Sequence, residues 1–440
     1  MLKNINNSIK LIDFRLFFAL LIIGIVPTIY KTARIFYLGD LPIDWGFNIA
    51  SQLAWVNVIY EVLQEAIMLP LFYLMGKSLS NKLELSNKVK TGLIITIGIY
   101  TFISIFIFLF IEPLTIFMVQ KKELIDATVS YIRFETIASI FLTAVQFLLL
   151  VLITIKKETY LYIFLLLQMI LSIFSDTILV SKLPISFDLG VNGIAIGNIV
   201  TNMILLVVMI SFLKFEGLKI DFKDKLSFNW MREWLKVGSY SGLESLIRNA
   251  AFILMVLQMV NIVGEQGTFW IANSFIWGWL LLPVLQLGQL VKRDCGEYGN
   301  DAIKQRTLGY FAITGIIVLV WLVSLPFWIL FIKNVMNVTN YQDVYQVALT
   351  SVIFYVLFAF NNVIDSIFYG IGKTNYMLFQ SIIVNTIFYG TLFFLYLFGI
   401  YTPTLNLIVI MFGIGIAFDS LLTFAMFFWM LKRRKINLLF

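Results

Sequence analysis

The sequence contains no histidine and a single cysteine, Cys295. Without imidazole there is no histidine-based metal site, and one thiol cannot close an intramolecular disulfide. Cys295 lies in a polar stretch and reads as an ordinary loop residue. Charge is scarce as well: Asp, Glu, Lys and Arg make up 13% of the chain, where a soluble domain carries roughly twice that fraction. The sequence has no phosphate-cradling glycine loop, no metal-ligand cluster and no nucleophile with a positioned base. That argues against an ATP-driven engine and against an intramembrane enzyme. The opening "MLKNINNSIK" lacks a signal-peptide cleavage pattern, so the first apolar run is expected to remain as a helix.

Apolar mass takes the place of the missing charge. Hydrophobic residues make up 60% of the chain and its mean hydropathy is +0.92, too apolar to cover a surface in water. The apolar blocks have helical length and do not alternate as barrel strands would. With about 20 residues needed per crossing, the sequence predicts an all-α polytopic membrane protein. Its twelve spans fall at 14–38, 48–75, 91–119, 127–155, 159–182, 191–214, 236–263, 268–290, 307–332, 344–370, 375–400 and 404–430.

Orientation follows from the cations. With a cytoplasmic N-terminus, 24 of the 32 Lys and Arg fall at inner ends, and four lie inside spans. Only Lys121, Lys122, Lys182 and Lys333 are left for outer loops. The positive-inside rule then puts both termini in the cytoplasm of a cell membrane. The net charge of +7 is this bias and needs no nucleic-acid partner. The "KRRK" at 432–435 reads as a topology anchor.

The charged stretch "KFEGLKIDFKDKLSFNWMREWLK" at 214–236 divides the chain into two halves. They are an N-terminal lobe over 1–213, a linker over 214–235 and a C-terminal lobe over 236–440. "GIAIGNIVTN" from Gly193 recurs in form as "GIGIAFDSLL" from Gly413, and "KETY" at 157–160 matches "KTNY" at 373–376. Six spans per half give a parallel repeat about a pseudo-two-fold axis along the membrane normal. Such lobes enclose a central, V-shaped cleft and rock around it.

"LGVNGIAIGNIVTN" at 189–202 is similar to the Gly-x-x-Gly-Ala-Ala start of the sixth helix in one known family. "FYGIGKTNY" at 368–376 resembles that family's Arg-Gly-x-Gly-Lys-Thr turn after the tenth helix. "MGKSLSN" at 75–81 and "CGEYGN" at 295–300 stand where it has glycine turns after helices two and eight. Taken in order, these stretches resemble the multidrug and toxic compound extrusion (MATE) transporters of the polysaccharide-exporter and flippase superfamily. The resemblance implies twelve helices in two lobes and export driven by sodium or proton influx.

A cation at the bilayer centre costs about 2.5–3.5 kcal/mol even on a lenient scale, so each one needs a partner, a cavity or a route outward. Lys31 and Arg34 lie one turn apart near the outer end of span one, with Pro27 before them to permit a kink. Lys31 can snorkel outward, while Arg34 has carboxylates to meet. These are Glu61 and Glu65, four apart on span two, and Asp176 on span five. In span seven Glu244 precedes Arg248 by four residues, the favourable order for an ion pair. Span ten carries Asn361, Asn362 and Asp365, and span twelve carries Asp419. Arg133 and Glu135, near an end of span four, read as a solvated or structural pair.

The resemblance sharpens some of these positions. Arg34 falls where the family commonly has an ion-binding acid, Asp176 falls on its fifth-helix acid, and Ser172 replaces its usual Asn. Arg248 stands at a coupling Glu, with Glu244 one turn away. The implied coupling ion is Na+ or H+, with a possible Na+ near Asp176 and no other cofactor. Three outcomes stand open. Asp176 releases Arg34 on protonation, or the basic groups contact an anionic substrate, or they lock the lobe.

Polar and aromatic residues of spans one, two, seven and eight are candidates for substrate contact: Tyr30, Trp55, Tyr60, Gln64, Tyr240, Trp270, Asn273 and Trp277. Lys31, Asn361 and Asn362 join them. Aromatic faces suit planar organic cations; for any single aromatic, lipid contact is the competing role. The leading expectation is a monomeric secondary exporter of small organic compounds, working in the lipid bilayer by alternating access. A flippase for an anionic or lipid-linked substrate is the alternative, and so many intramembrane polar residues disfavour a mere scaffold.

Overall fold

The computed structural model describes residues 2–76, 78, 81–155, 157, 159–217, 226–436 and 438, and no strand occurs among them. Among the described residues, ten helices are long and apolar enough to cross a membrane, and the bent pair Gln266–Leu280 and Leu282–Tyr298 makes an eleventh span. Span two, expected at 48–75, is helical in successive pieces. These are Ile43–Ser51, Leu53–Leu63, a π-helical turn at Gln64–Met68, and Leu69–Gly76. Span one, Phe14–Leu38, passes through Pro27 as one helix. The other spans are Lys82–Phe117, Lys122–Thr154, Thr159–Leu179, Val191–Phe215, Met231–Ile262, Asn300–Val335, Tyr341–Gly370, Asn375–Leu397 and Leu405–Arg434.

Several helices outrun their apolar cores, because hydrogen bonding carries them beyond the last apolar residue. Span three begins at Lys82, nine residues before its expected start, where the Asn81 side chain accepts from the backbone N–H groups of Leu83 and Glu84. Lys88, inside that first stretch, is buried, and its ammonium donates to Leu74 O (3.1 Å) and Ser78 Oγ (2.7 Å). Span eight likewise continues to Tyr298. Cys295 is therefore not a loop residue: it is 1% exposed, inside the helix.

Packing divides the chain into two compact units, Met1–Thr32 with Thr268–Phe440, and Ala33–Gly267. The dividing points fall within span one and after span seven, whereas the charged loop divides the chain by sequence repeat. In the first unit, Leu287, Leu290, Val291 and Cys295 of span eight pack with Ile364, Ile367 and Phe368 of span ten and Phe427 of span twelve. In the second, span four is the central helix, with Ile132, Val145, Phe147 and Val151 fully buried. Lipid supplies no hydrophobic drive between helices, so close approach of small residues matters. Gly193, in the motif that opens span six, lets that helix meet span five; a Cβ there would lie 2.5 Å from the Leu179 carbonyl oxygen.

Candidate functional site

Three polar clusters lie within the spans. The first is built around Arg34. Its Nε donates to Asp176 Oδ2 at 2.8 Å and its Nη2 to Asp176 Oδ1 at 3.2 Å, a two-pronged pair. The same Nη2 reaches Asn198 Oδ1 at 2.9 Å, and Asn198 Nδ2 donates to Glu135 Oε1 at 2.7 Å. One cation from span one thus ties together spans four, five and six. Asp176 is 1% exposed, and Glu135 and Ser172 are buried. Lys31, one turn before Arg34, is exposed.

This geometry decides between the acids within reach of Arg34: it meets Asp176, not Glu61 or Glu65. It also corrects the reading of span four. Glu135 is no solvated partner of Arg133; it faces Asn198. Arg133 instead lies over the Phe108 ring, 5.3 Å from its centroid. Asn198 lies inside "GIAIGNIVTN", where the small residues carry the motif and the amide has no periodic signal of its own.

The second cluster surrounds Arg248. Its Nη2 lies 2.8 Å from Glu65 Oε1 and 3.3 Å from Glu61 Oε1, and its Nη1 lies 3.3 Å from Glu244 Oε1. The expected pair within span seven is present, but span two adds two more carboxylates. Local backbone makes this possible. The π-helical turn at Gln64–Met68 breaks the regular ladder beside Glu65, and the Glu65 carbonyl accepts from Ser241 Oγ at 2.7 Å. Spans two and seven touch closely at Ala66, against Gly238 and Gly242. The cluster is open: Arg248 is 37% exposed and Glu61 49%.

The third cluster joins spans ten, eleven and twelve. Asn361 Nδ2 donates to Asp365 Oδ2 (3.0 Å) and Asp419 Oδ2 (3.2 Å), and Gln380 Nε2 donates to Asp419 Oδ1 (2.5 Å). Gln380 carried no sequence signal beyond being polar in an apolar run. Among the described residues, no group of three or more carboxylate or thiol side chains is arranged to hold a metal ion.

The remaining candidates are dispersed. Trp55 is buried and its indole donates to Gln52 Oε1 (3.1 Å), which is paired in turn with Asn261. Tyr60 bonds Ser104 at 2.8 Å and stacks on Tyr100. Asn362 donates to the Val284 carbonyl (3.0 Å), and Trp277, partly exposed, donates to Tyr355 (3.1 Å). Gln64 is exposed, and Tyr30, Trp270 and Asn273 are half-buried. The side chain of Tyr240 lies outside the described residues.

No family model and no curated protein matches the sequence. Solved structures do match its fold. A MATE-family multidrug resistance transporter of the MOP superfamily, in an inward-facing conformation, aligns with a TM-score of 0.71 and 19% identity over 93% of this chain and 94% of that one. A MATE protein in complex with MaD3S aligns at 0.68 and 19%, over 96% and 95%. A MOP superfamily transporter from Pyrococcus furiosus, described as having a binding pocket of reverse polarity that suggests a different function, aligns at 0.70 and 19%, over 96% and 95%. The chain therefore has the twelve-helix fold of MATE transporters across nearly its whole length.

Proposed function

We propose that this protein is a secondary active exporter. It moves organic, drug-like cations out of the cell by alternating access, driven by influx of protons or sodium ions. It acts in the cell membrane with both termini in the cytoplasm. The fold supports the transport mode, and the Arg248 cluster supports the charge of the substrate. One guanidinium there faces three carboxylates, so the acids outnumber the nearest cation within a partly exposed region of the spans. Carboxylates in excess of the cation they share attract a further cation or a proton.

Arg34 plays a different part in this reading. It occupies both oxygens of Asp176, so a coupling ion reaches Asp176 only when the guanidinium moves away. The alternative, an anionic or lipid-linked substrate bound by intramembrane cations, draws on Lys31, Arg34 and Arg248. Two of these three already face carboxylates, which weakens it.

Dye binding to the purified protein tests the assignment of charge. A fluorescent organic cation is expected to bind, and Glu65→Gln or Glu244→Gln to weaken it by about tenfold or more, the worth of one charged contact. An anionic dye that binds more tightly and loses affinity in Arg248→Gln would favour the alternative.

A further inference from the structure

Spans two, three and seven surround a crevice of about 410 Å³ that belongs to none of the three polar clusters. Its walls are apolar: Ile67 of span two, Ile95 and Ile99 of span three, and Leu235, Leu243 and Leu246 of span seven. The three leucines are each more than half exposed, so the crevice opens outward and is not sealed in the core. Ser239 brings a hydroxyl to the lining, but that group already donates to the Lys236 carbonyl at 3.1 Å.

The helix backbones create this space. Spans two and seven meet where Ala66 touches Gly238 and Gly242, and both glycines line the crevice without a side chain to fill it. The π-helical turn at Gln64–Met68 lies at the same contact, and the Trp234 indole donates to the Ile67 carbonyl at 2.8 Å. That bond fixes the floor of the crevice.

One row of side chains leads from the crevice to charge. Arg232, Lys236, Ser239 and Leu243 follow one another at spacings of four, three and four, which is one face of a helix. Arg232 and Lys236 are exposed, and they stand where span seven begins. Trp230 and Trp234, stacked 5.0 Å apart at the same level, are residue types that collect at a water–lipid boundary. Glu233 directly follows Arg232 in the chain and so points to another side of the helix.

An apolar groove with two cations at its mouth matches an amphiphile with an acyl chain and an anionic headgroup. It does not match the organic cation of the exporter reading, which these cations repel. Lipid tails are as apolar as leucine, so the groove alone selects little among lipids. The headgroup charge supplies the selection.

We propose that the crevice between spans two, three and seven binds an anionic phospholipid, with an acyl chain along Leu235, Leu243 and Leu246 and the phosphate against Arg232 and Lys236. A lipid seated there braces the contact of Ala66 with Gly238 and Gly242. Binding is measured without transport, so it stands or falls separately from the exporter reading. The test is equilibrium binding of a fluorescent phosphatidylglycerol to the delipidated full chain in detergent, competed by unlabelled dioleoylphosphatidylglycerol or dioleoylphosphatidylcholine.

The parent is expected to bind saturably, with phosphatidylglycerol the better competitor by about tenfold or more, since each cation near a headgroup is worth about fivefold. Arg232→Gln with Lys236→Gln should abolish that preference, and both exposed positions tolerate the change in folding. Ser239→Trp, which fills the crevice, should weaken both lipids. Lys432→Gln with Arg433→Gln, at the far end of the chain, should keep the parent's preference. Equal competition by the two lipids in the parent would overturn the proposal, as would a preference that survives the span-seven double variant. So would inorganic phosphate that competes as well as phosphatidylglycerol, because the ligand would then be a free anion.

Discussion

Arg34→Ala is expected to destabilise the protein by about 3–5 kcal/mol, the usual cost of stripping one partner from a buried ion pair. Asp176 is 1% exposed, and Arg34 donates to both oxygens of its carboxylate. Without the guanidinium a carboxylate is stranded in an apolar interior, where it must take up a proton or draw in water. Thermal unfolding in detergent, monitored by helical signal, would show the loss as a lower midpoint. The double variant Arg34→Leu with Asp176→Leu is expected to recover most of it, because an apolar pair of similar volume often matches a buried ion pair in stability. That comparison separates a lock from a working part. A pair that only locks the lobe can be replaced this way without loss of transport, whereas a pair that opens during the cycle cannot. A parent-like midpoint for Arg34→Ala would mean that the pair contributes little.

Gly238→Ala and Gly315→Ala are expected to move stability in opposite directions, although the chemical change is the same. A Cβ at Gly238 would lie 2.0 Å from the backbone oxygen of Ala66. Backbone cannot rotate aside as a side chain can, so spans two and seven must separate. Overpacking of this kind costs about 1–3 kcal/mol and sometimes more. The separation would also pull Glu65 from Arg248, so dye binding should fall together with stability. Gly315, in the interior of the span-nine helix, has nothing within 4 Å of its Cβ position. There alanine should gain about 0.5–1 kcal/mol from backbone entropy. Unfolding midpoints of both variants beside the parent check the pair, and a stabilised Gly238→Ala would refute the close contact.

These two cases also mark how far the sequence could be read. Apolar run length and cation bias predict the spans, because each helix must satisfy its own backbone in lipid. Helix ends were less legible. The extension of span three depends on the Asn81 cap, and that of span eight buries Cys295; neither leaves a mark in hydropathy. The membrane charges were legible as residues but not as partners. Arg34 could reach three acids by spacing, and only packing selects Asp176. Glu61 and Glu65 share a face, yet nothing local says that Arg248, more than 180 residues later, sits over them. Arg133 stands only two residues before Glu135, and helical geometry points residues at that spacing to different sides. Asn361 and Asp365 are visible at i,i+4, whereas Gln380 and Asp419 join them only through the packing of spans ten, eleven and twelve.

The expected behaviour is that an ion gradient moves an organic cation through this protein. It is tested most directly by reconstitution into liposomes, with a cationic dye on one side and a proton or sodium gradient imposed across the membrane. At least one gradient is expected to drive dye movement against the flow of the ion, and Asp176→Asn, if folded, to slow or abolish it. Dye that stays in place under both gradients, with folded and correctly oriented protein, would contradict the account.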